Sequence, residues 1–395
     1  MAAARASTRG TVASAIVMDS IVIVGAGTFG ASLAWWLARD GVQVTLVDQF
    51  EPGDRRATSG GETRLIRCGH GADAYYTASA RRARTLWREL EAESGADLLM
   101  ECGLVWFARQ ADAWEAASEA TMRAQGIPVE RLSVEEGERL FPSFRGDDIA
   151  FLLHEPEAGV LRAQKAVQTL AVQTDRHGAR LVQGRAEPEG DHVVVNGDTL
   201  EADAVVWSCG GWLPQLFPEL VTVKTTHQDL FFIDGGEPWT HAPAWVEYDG
   251  AVYGTGDLDG LGVKGAPDTE GPPLAPDDDL PQSNPDNERW LRDYFARRFP
   301  ALADAPLKSS TTCRYELSPD SHFIAAPHPE HASVWLLGGG SGHGFKHGPA
   351  MAERMAGALR GEEPMPERFR LGPRAAADSM RTAGSNPHPR SEPGT

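Results

Sequence analysis

Ile21-Val-Ile-Val24, Gly25-Ala-Gly27-Thr-Phe-Gly30, Ala31-Ser-Leu-Ala-Trp-Trp-Leu-Ala38 and Val42-Gln-Val-Thr-Leu-Val-Asp48 follow one another almost without interruption. The first run is β-branched throughout, as expected of a strand buried on both faces of a parallel sheet. Gly25 permits a tight turn, Gly27 lets a backbone approach a pyrophosphate, and Gly30 lets the following helix pack on the strand. That helix then directs its free N–H groups at the phosphates. Gly41 caps it, and the second strand ends in Asp48, placed to accept from ribose hydroxyls. A glycine triplet alone is a weak signal. Strand, turn, helix, strand and terminal acid in this order, about 20 residues apart, predict a dinucleotide-binding unit. An acid at position 48 disfavours a ribose 2′-phosphate but leaves NAD and FAD both open.

Beyond this unit the alternation breaks. Arg55-Arg-Ala-Thr-Ser-Gly-Gly-Glu-Thr-Arg-Leu-Ile-Arg67 is a loop dense in glycine and arginine, followed by a helix from about Tyr75 to Ser94 that carries Leu86, Trp87 and Leu90 on one face and closes at Gly95. Ser133-Val-Glu-Glu136 is a capping-box pattern and Asn196-Gly197 a hairpin turn. Ala204-Val-Val-Trp-Ser-Cys-Gly-Gly-Trp212 reads as a further buried strand, which makes the nucleotide unit discontinuous. Val223 to Ile233 and Ala244 to Tyr253 read as two strands of an antiparallel sheet. A Pro- and Asp-rich surface loop from Ala266 to Asn287, a helix from Glu288 to Phe299 and a strand from Ser333 to Leu337 complete the pass. The expected fold class is α/β (α+β overall): a discontinuous Rossmann-like nucleotide domain over 18–100, 155–222 and 308–371, with an antiparallel-sheet substrate domain over 101–154 and 223–307. The tails 1–17 and 372–395 are expected to be disordered, the second because it is rich in Pro, Ser, Arg and Ala from Pro373 onward.

The chain has 395 residues, 41% hydrophobic and 24% charged, enough for a large core. Its formal net charge of -19 argues against nucleic acid and anionic membrane surfaces as partners. No apolar run approaches the roughly 20 residues that span a bilayer. The expected partner is a small molecule and the expected state a monomer or weak homo-oligomer. Residues 1–17 carry Arg5 and Arg9 without a continuous apolar stretch, which argues against a secretory signal, and a start at Met18 would remove them. Four widely spaced cysteines, Cys68, Cys102, Cys209 and Cys313, form no CxxC pair; no metal site or disulfide framework is expected, and a cytoplasmic location is.

From Ser20 to Leu359 the chain resembles the monomeric sarcosine oxidase family, within the D-amino acid oxidase-like flavoproteins. The resemblance rests on the fingerprint at Gly25, on Gly61-Glu-Thr-Arg64-Leu-Ile-Arg67, and on Cys313-Arg-Tyr315 followed by Asp320-Ser-His-Phe-Ile324. His328-Pro-Glu-His331 and Gly340-Ser-Gly-His-Gly-Phe-Lys346 add to it. It implies FAD, an amine or amino acid substrate and oxygen as second substrate. It further implies a thioether from Cys313 to the flavin, oxygen activation by Lys264, a substrate carboxylate held by Arg67 and Lys346, and a pocket lined by Tyr253 and Tyr315. Thr28, Phe29, Gln49, Ser59, Thr63, Arg64, Ala186, Cys209, Gly210 and Trp212 would join Gly25, Gly27, Gly30 and Asp48 at the cofactor, along with Gly340, Gly342, His343, Gly344, Phe345 and Lys346.

Removing a hydride equivalent from an amine leaves negative charge on the flavin pyrimidine. The amides, imidazole and ammonium of Gly340 to Lys346, with the helix starting near Pro349, suit that charge. Lys264 lies in Gly260-Leu-Gly-Val-Lys-Gly265, whose glycines are expected to allow close approach to a ring. Arg64 is expected to be structural or cofactor-directed. Two active-site histidines of typical sarcosine oxidases are replaced by Gly60 and Asp268, a change expected to enlarge the site and to offer Asp268 as partner for a cationic amine. A bulkier N-alkyl amino acid than sarcosine is the expected substrate. A flavin dehydrogenase that feeds a carrier, an NAD dehydrogenase and a noncatalytic flavin protein are the competing readings.

Overall fold

The β-branched run does form the centre of a parallel sheet. In the computed structural model, which describes residues 18–376, six strands run in the order Ile324–Pro327, Val334–Gly338, Ala204–Trp207, Ser20–Val24, Gln43–Asp48 and Arg180–Gln183. All neighbours are parallel except the first pair, which forms an antiparallel edge. Gly25 has φ +107°, and a Cβ there would collide with the Ser208 carbonyl; a Cβ on Gly30 would collide with the Gly25 carbonyl. The turn and the close packing of the helix Thr28–Arg39 therefore depend on these two glycines, as predicted. That helix packs against Ala163–Arg176 and Gly348–Leu359. A Cβ on Gly348 would lie 2.6 Å from Thr28 Oγ1, so the glycine sets how near the last helix comes.

Beside it stands a second sheet of eight strands, ordered Leu307–Leu317, Lys224–Ile233, Val263–Pro267, Val252–Asp257, Ala244–Glu247, Leu104–Ala108, Phe151–Glu155 and Glu130–Leu132. Helix Pro285–Arg298 covers one face, burying Leu291, Tyr294 and Phe295 against Trp245 and Val263. In this core the fully buried Glu247 accepts from Arg109, Tyr294 and Arg298, so its charge is matched on each side.

Several expectations need correction. The run Ala244 to Tyr253 is two strands, because Tyr248-Asp-Gly250 turns the chain back. Leu307–Leu317 pairs along the whole of Lys224–Ile233 and so lies in the second sheet, not in the nucleotide unit. Helix Pro285–Arg298 begins before Glu288, with Asn284 accepting from the Asp286 N–H as its cap. Residues 372–376, expected to be disordered, include Arg374. Its guanidinium is buried, donates to the carbonyls of Phe323, Arg368 and His322, and pairs with Asp320. The tails 1–17 and 377–395 lie outside the described residues. The helix Ala74–Ser94 with Gly95 in the left-handed region, the capping box at Ser133 and the Asn196-Gly197 turn occur as read. Among the described residues no helix is long and apolar enough to cross a membrane.

Candidate functional site

One large cleft opens where the parallel strands end and the second sheet begins, with an empty space of about 1680 Å³, mouth included. Its place at the carboxyl ends of the strands is where doubly wound sheets bind nucleotides.

At the nucleotide end the cleft is walled by Gly25, Gly27, Thr28, Phe29, Asp48 and Gln49, with Ser59, Ala186, Cys209, Gly210 and Trp212 opposite. Gly27 faces open space, with only the Ser59 hydroxyl 3.2 Å from where a Cβ would stand. The Asp48 carboxylate accepts from the Ala26 N–H at 2.6 Å and the Phe50 N–H at 2.8 Å, which aims it along the cleft rim. Burial raises its pKa against the pull of those amides. Thr28 donates to the Phe345 carbonyl at 3.2 Å and so joins the fingerprint helix to the C-terminal glycine loop. The Trp212 indole donates to Asp277 at 2.8 Å, which fixes the ring at the cleft edge.

At the other end the wall is made by Thr63, Arg64, Arg67, Tyr253, Cys313 and Tyr315, and by the loop holding Gly340, Gly342, His343, Gly344, Phe345 and Lys346. Arg67 is buried, stacks on Trp106 at 4.7 Å and donates to the Gly69 carbonyl. Lys346 is buried and donates to the His343 carbonyl at 2.9 Å. Both cations bear on the same two imidazoles, His70 and His347, so they converge on one region. Tyr253 and Tyr315 meet hydroxyl to hydroxyl at 3.4 Å; burial raises the pKa of each phenol. Burial also raises the Cys313 thiol, while Arg64 and Lys264 pull it down.

The structure departs from the sequence reading at five places. Lys264 does not line the cleft: its ammonium donates to Thr63 Oγ1 at 3.2 Å, one residue behind the wall, over the Tyr253 ring. Burial, then the Arg64 charge, lowers its pKa to about 8. The neighbouring Gly265 makes room for Leu291 and Phe295 on the opposite face of the sheet, not for a ring in the cleft. The His343 imidazole spends its Nε2–H on the Ser321 carbonyl at 2.9 Å, so it is no donor to the cleft. Gly60 lies against the backbone of Asp54 and Arg55, and its lack of a side chain does not widen the cleft. Asp268 is half-buried behind the tyrosines, where its charge raises both phenols without facing the cleft. Arg64, expected to be structural or cofactor-directed, lines the cleft and bonds the carbonyls of Thr58, Gly60 and Thr63.

Sequence reasoning missed two cleft residues on the strand of Cys313. Arg314 binds the carbonyls of Arg56, Ala275 and Asp278, which fastens the Pro- and Asp-rich loop over the site. Glu316 accepts from the Gly340 N–H at 2.8 Å, while its other oxygen is buried without a hydrogen-bond partner; burial raises its pKa. A carboxyl held next to a glycine loop and open on one side fits a polar group of a bound ligand. The only signal in the sequence was its place three residues after Cys313.

A profile of the FAD dependent oxidoreductase family matches residues 20–358. Monomeric sarcosine oxidase of Bacillus sp. strain NS-129 is 29% identical over 85% of this chain and 91% of its own. N-methyl-L-tryptophan oxidase of Yersinia pestis strain Pestoides F is 27% identical over 88% of this chain and 96% of its own. Among solved structures, L-proline dehydrogenase from P. horikoshii shares the fold with a TM-score of 0.78 and 20% identity, covering 89% of this chain and 97% of that one. With Gly25 and Gly27 bordering a cleft at the carboxyl ends of the parallel strands, and with the family match running from the first strand to the last helix, the chain belongs to the FAD-dependent oxidoreductases, in the family of amine and amino acid oxidases.

Proposed function

We propose that this enzyme oxidises a secondary N-alkyl amino acid bulkier than sarcosine to the imine and passes the electrons to oxygen as hydrogen peroxide, with FAD attached as a thioether to Cys313. The observation that carries this reading is the convergence of two buried cations, Arg67 and Lys346, at the end of the cleft that also holds Cys313. A guanidinium and an ammonium at one end of a cleft suit the carboxylate of an α-amino acid, which a guanidinium can take in bidentate geometry.

FAD supplies the two-electron acceptor. Arg67 and Lys346 hold the carboxylate and thereby orient the substrate Cα–H bond. Tyr253 and Tyr315 close the pocket with neutral phenols, since burial makes their ionisation costly, and exclude water around the amine. The Lys264 ammonium sits behind Thr63 and provides fixed positive charge for the stage at which oxygen gains negative charge. Burial holds the Cys313 thiol above its ordinary pKa, and the Arg64 and Lys264 charges act against that rise.

Two outcomes are expected. With Cys313→Ala, acid precipitation should leave the yellow colour in the supernatant, whereas the native protein should carry it into the pellet; colour in the native supernatant would refute attachment. A panel of N-alkyl amino acids, followed by peroxide release, should rank bulkier substrates above sarcosine and give one peroxide per amine oxidised. Sarcosine as the best substrate, or reduction without peroxide, would overturn the corresponding part of the proposal.

Lys264 also sets a pH dependence. Its pKa is lowered, so the ammonium is present below about 8 and is lost above it. Stopped-flow reoxidation of the reduced enzyme should therefore be fastest below pH 7 and fall about tenfold per pH unit beyond 8. A rate independent of pH between 6 and 10, to within about twofold, would remove the ammonium from this step.

A further inference from the structure

We infer that the enzyme carries a second, metal-binding site, in which His70, His343 and His347 hold a d10 transition-metal ion, zinc(II) or copper(I). The three imidazoles come from separate parts of the chain: His70 from the loop after Thr63–Ile66, His343 from the glycine loop, and His347 from the residue that opens helix Gly348–Leu359. All three are buried, and one ring nitrogen from each lies within 4.8 Å of those from the other two. Metal–nitrogen bonds of about 2.0–2.1 Å around one centre require each ring to advance by less than about 1 Å.

The outer hydrogen bonds set the tautomers. His70 Nδ1 stands 3.0 Å from the Cys68 carbonyl and His343 Nε2 2.9 Å from the Ser321 carbonyl. A carbonyl can only accept, so both nitrogens carry the proton, and His70 Nε2 and His343 Nδ1 are left with lone pairs. His347 Nδ1 is held by the Ser79 hydroxyl at 2.9 Å. Metal-bound histidines are oriented in this way, by an outer partner on the nitrogen that does not bind. On the inner side, His70 Nε2 and His347 Nε2 are fully buried and have no hydrogen-bond partner. Buried ring nitrogens left in this state are costly, and an ion shared between them removes the cost.

The surroundings narrow the ion. Tyr76 and Phe323 wall the cluster with rings at 4.9 to 5.5 Å from His343 and His347, and the ligand set contains no carboxylate. Neutral imidazoles suit zinc and copper, not magnesium or calcium. The cations Arg67 and Lys346 bear on His70 and His347. The same two positive charges favour a singly charged ion over a doubly charged one. The site touches neither the nucleotide end of the cleft nor Cys313; its effect is to tie the loop of Arg67 to the loop of Lys346.

The test uses untagged holoenzyme from cells grown with zinc and copper, analysed by plasma mass spectrometry and metal K-edge absorption. About one equivalent of zinc or copper with about three nitrogen neighbours is expected. His70→Phe and His347→Leu should each lower the content to below about a tenth of an equivalent while the FAD absorbance persists. Stripping the native protein with a chelator should lower its Tm by about 5 °C, and re-addition of the ion should restore it. Native enzyme with less than about a tenth of an equivalent, both as isolated and after dialysis against each ion, would overturn the site, as would metal retained unchanged in both variants. The spectrum of the native protein decides the question even where a variant does not fold.

Discussion

Lys264→Met is expected to slow reoxidation of the reduced enzyme by oxygen about 100- to 1000-fold, because that is the scale on which a single fixed donor or charge acts on a developing anion. The native Lys264 is buried in the second sheet, opposite Phe232 on one neighbouring strand and Thr255 on the other. Its nearest partner is Thr63, a residue of the cleft wall, so its charge acts on the cleft across one side chain. Methionine keeps the length and the packing and removes only the charge. Anaerobic reduction by substrate should change by less than about threefold, since hydride leaves the amine before oxygen enters. Double-mixing stopped-flow separates the two halves. If both fall together, Lys264 acts in substrate oxidation or in folding; if neither falls, positive charge for the oxygen step comes from Arg67 or Lys346. Lys264→Arg should restore part of the oxygen rate, because it keeps the charge while changing its shape.

The nucleotide half of the fold was legible because its rules are backbone rules. Gly25 and Gly30 leave no room for a Cβ, and such positions announce themselves in any sequence that folds this way. The second sheet was legible only in outline. Its strands pair across long separations, and nothing local in Leu307–Leu317 says that its partner is Lys224–Ile233 rather than a strand of the nucleotide sheet. The Asp249-Gly250 turn was a local signal that the alternation of Ala244 to Tyr253 concealed.

Site residues divide in the same way. Arg67, Tyr253, Cys313, Tyr315 and Lys346 were reached through family resemblance, and the structure brings them to one end of one cleft. Glu316 stands one residue beyond Cys313-Arg-Tyr315, where no motif marks it. The three histidines could not be grouped from sequence, since His70 stands far from His343 and His347 along the chain and only the packing of the last helix beside Ala74–Ser94 unites them. Absence of a CxxC pair excludes one kind of metal site and says nothing about imidazoles gathered by tertiary structure.

Arg67→Met is expected to reduce kcat/KM for amino acid substrates about 100-fold or more, with most of the loss in KM, since in the proposed role the guanidinium would contribute charge-assisted hydrogen bonds made in the ground state and the transition state alike. The substitution retains the stacking volume against Trp106, so the pocket wall stays filled. The diagnostic comparison is with the matching N-alkyl amine that lacks the carboxylate. Native enzyme should prefer the amino acid strongly, and Arg67→Met should narrow that preference to within about tenfold, because the remaining cation, Lys346, still offers a point charge without the bidentate fork. Arg67→Lys should recover only part of the preference for the same reason. Equal losses on the amino acid and on the amine would show that Arg67 shapes the cleft instead of reading a carboxylate, and would remove amino acids from their proposed place as substrates. A preserved preference would assign the carboxylate to Lys346 alone, and Lys346→Met would then have to abolish it.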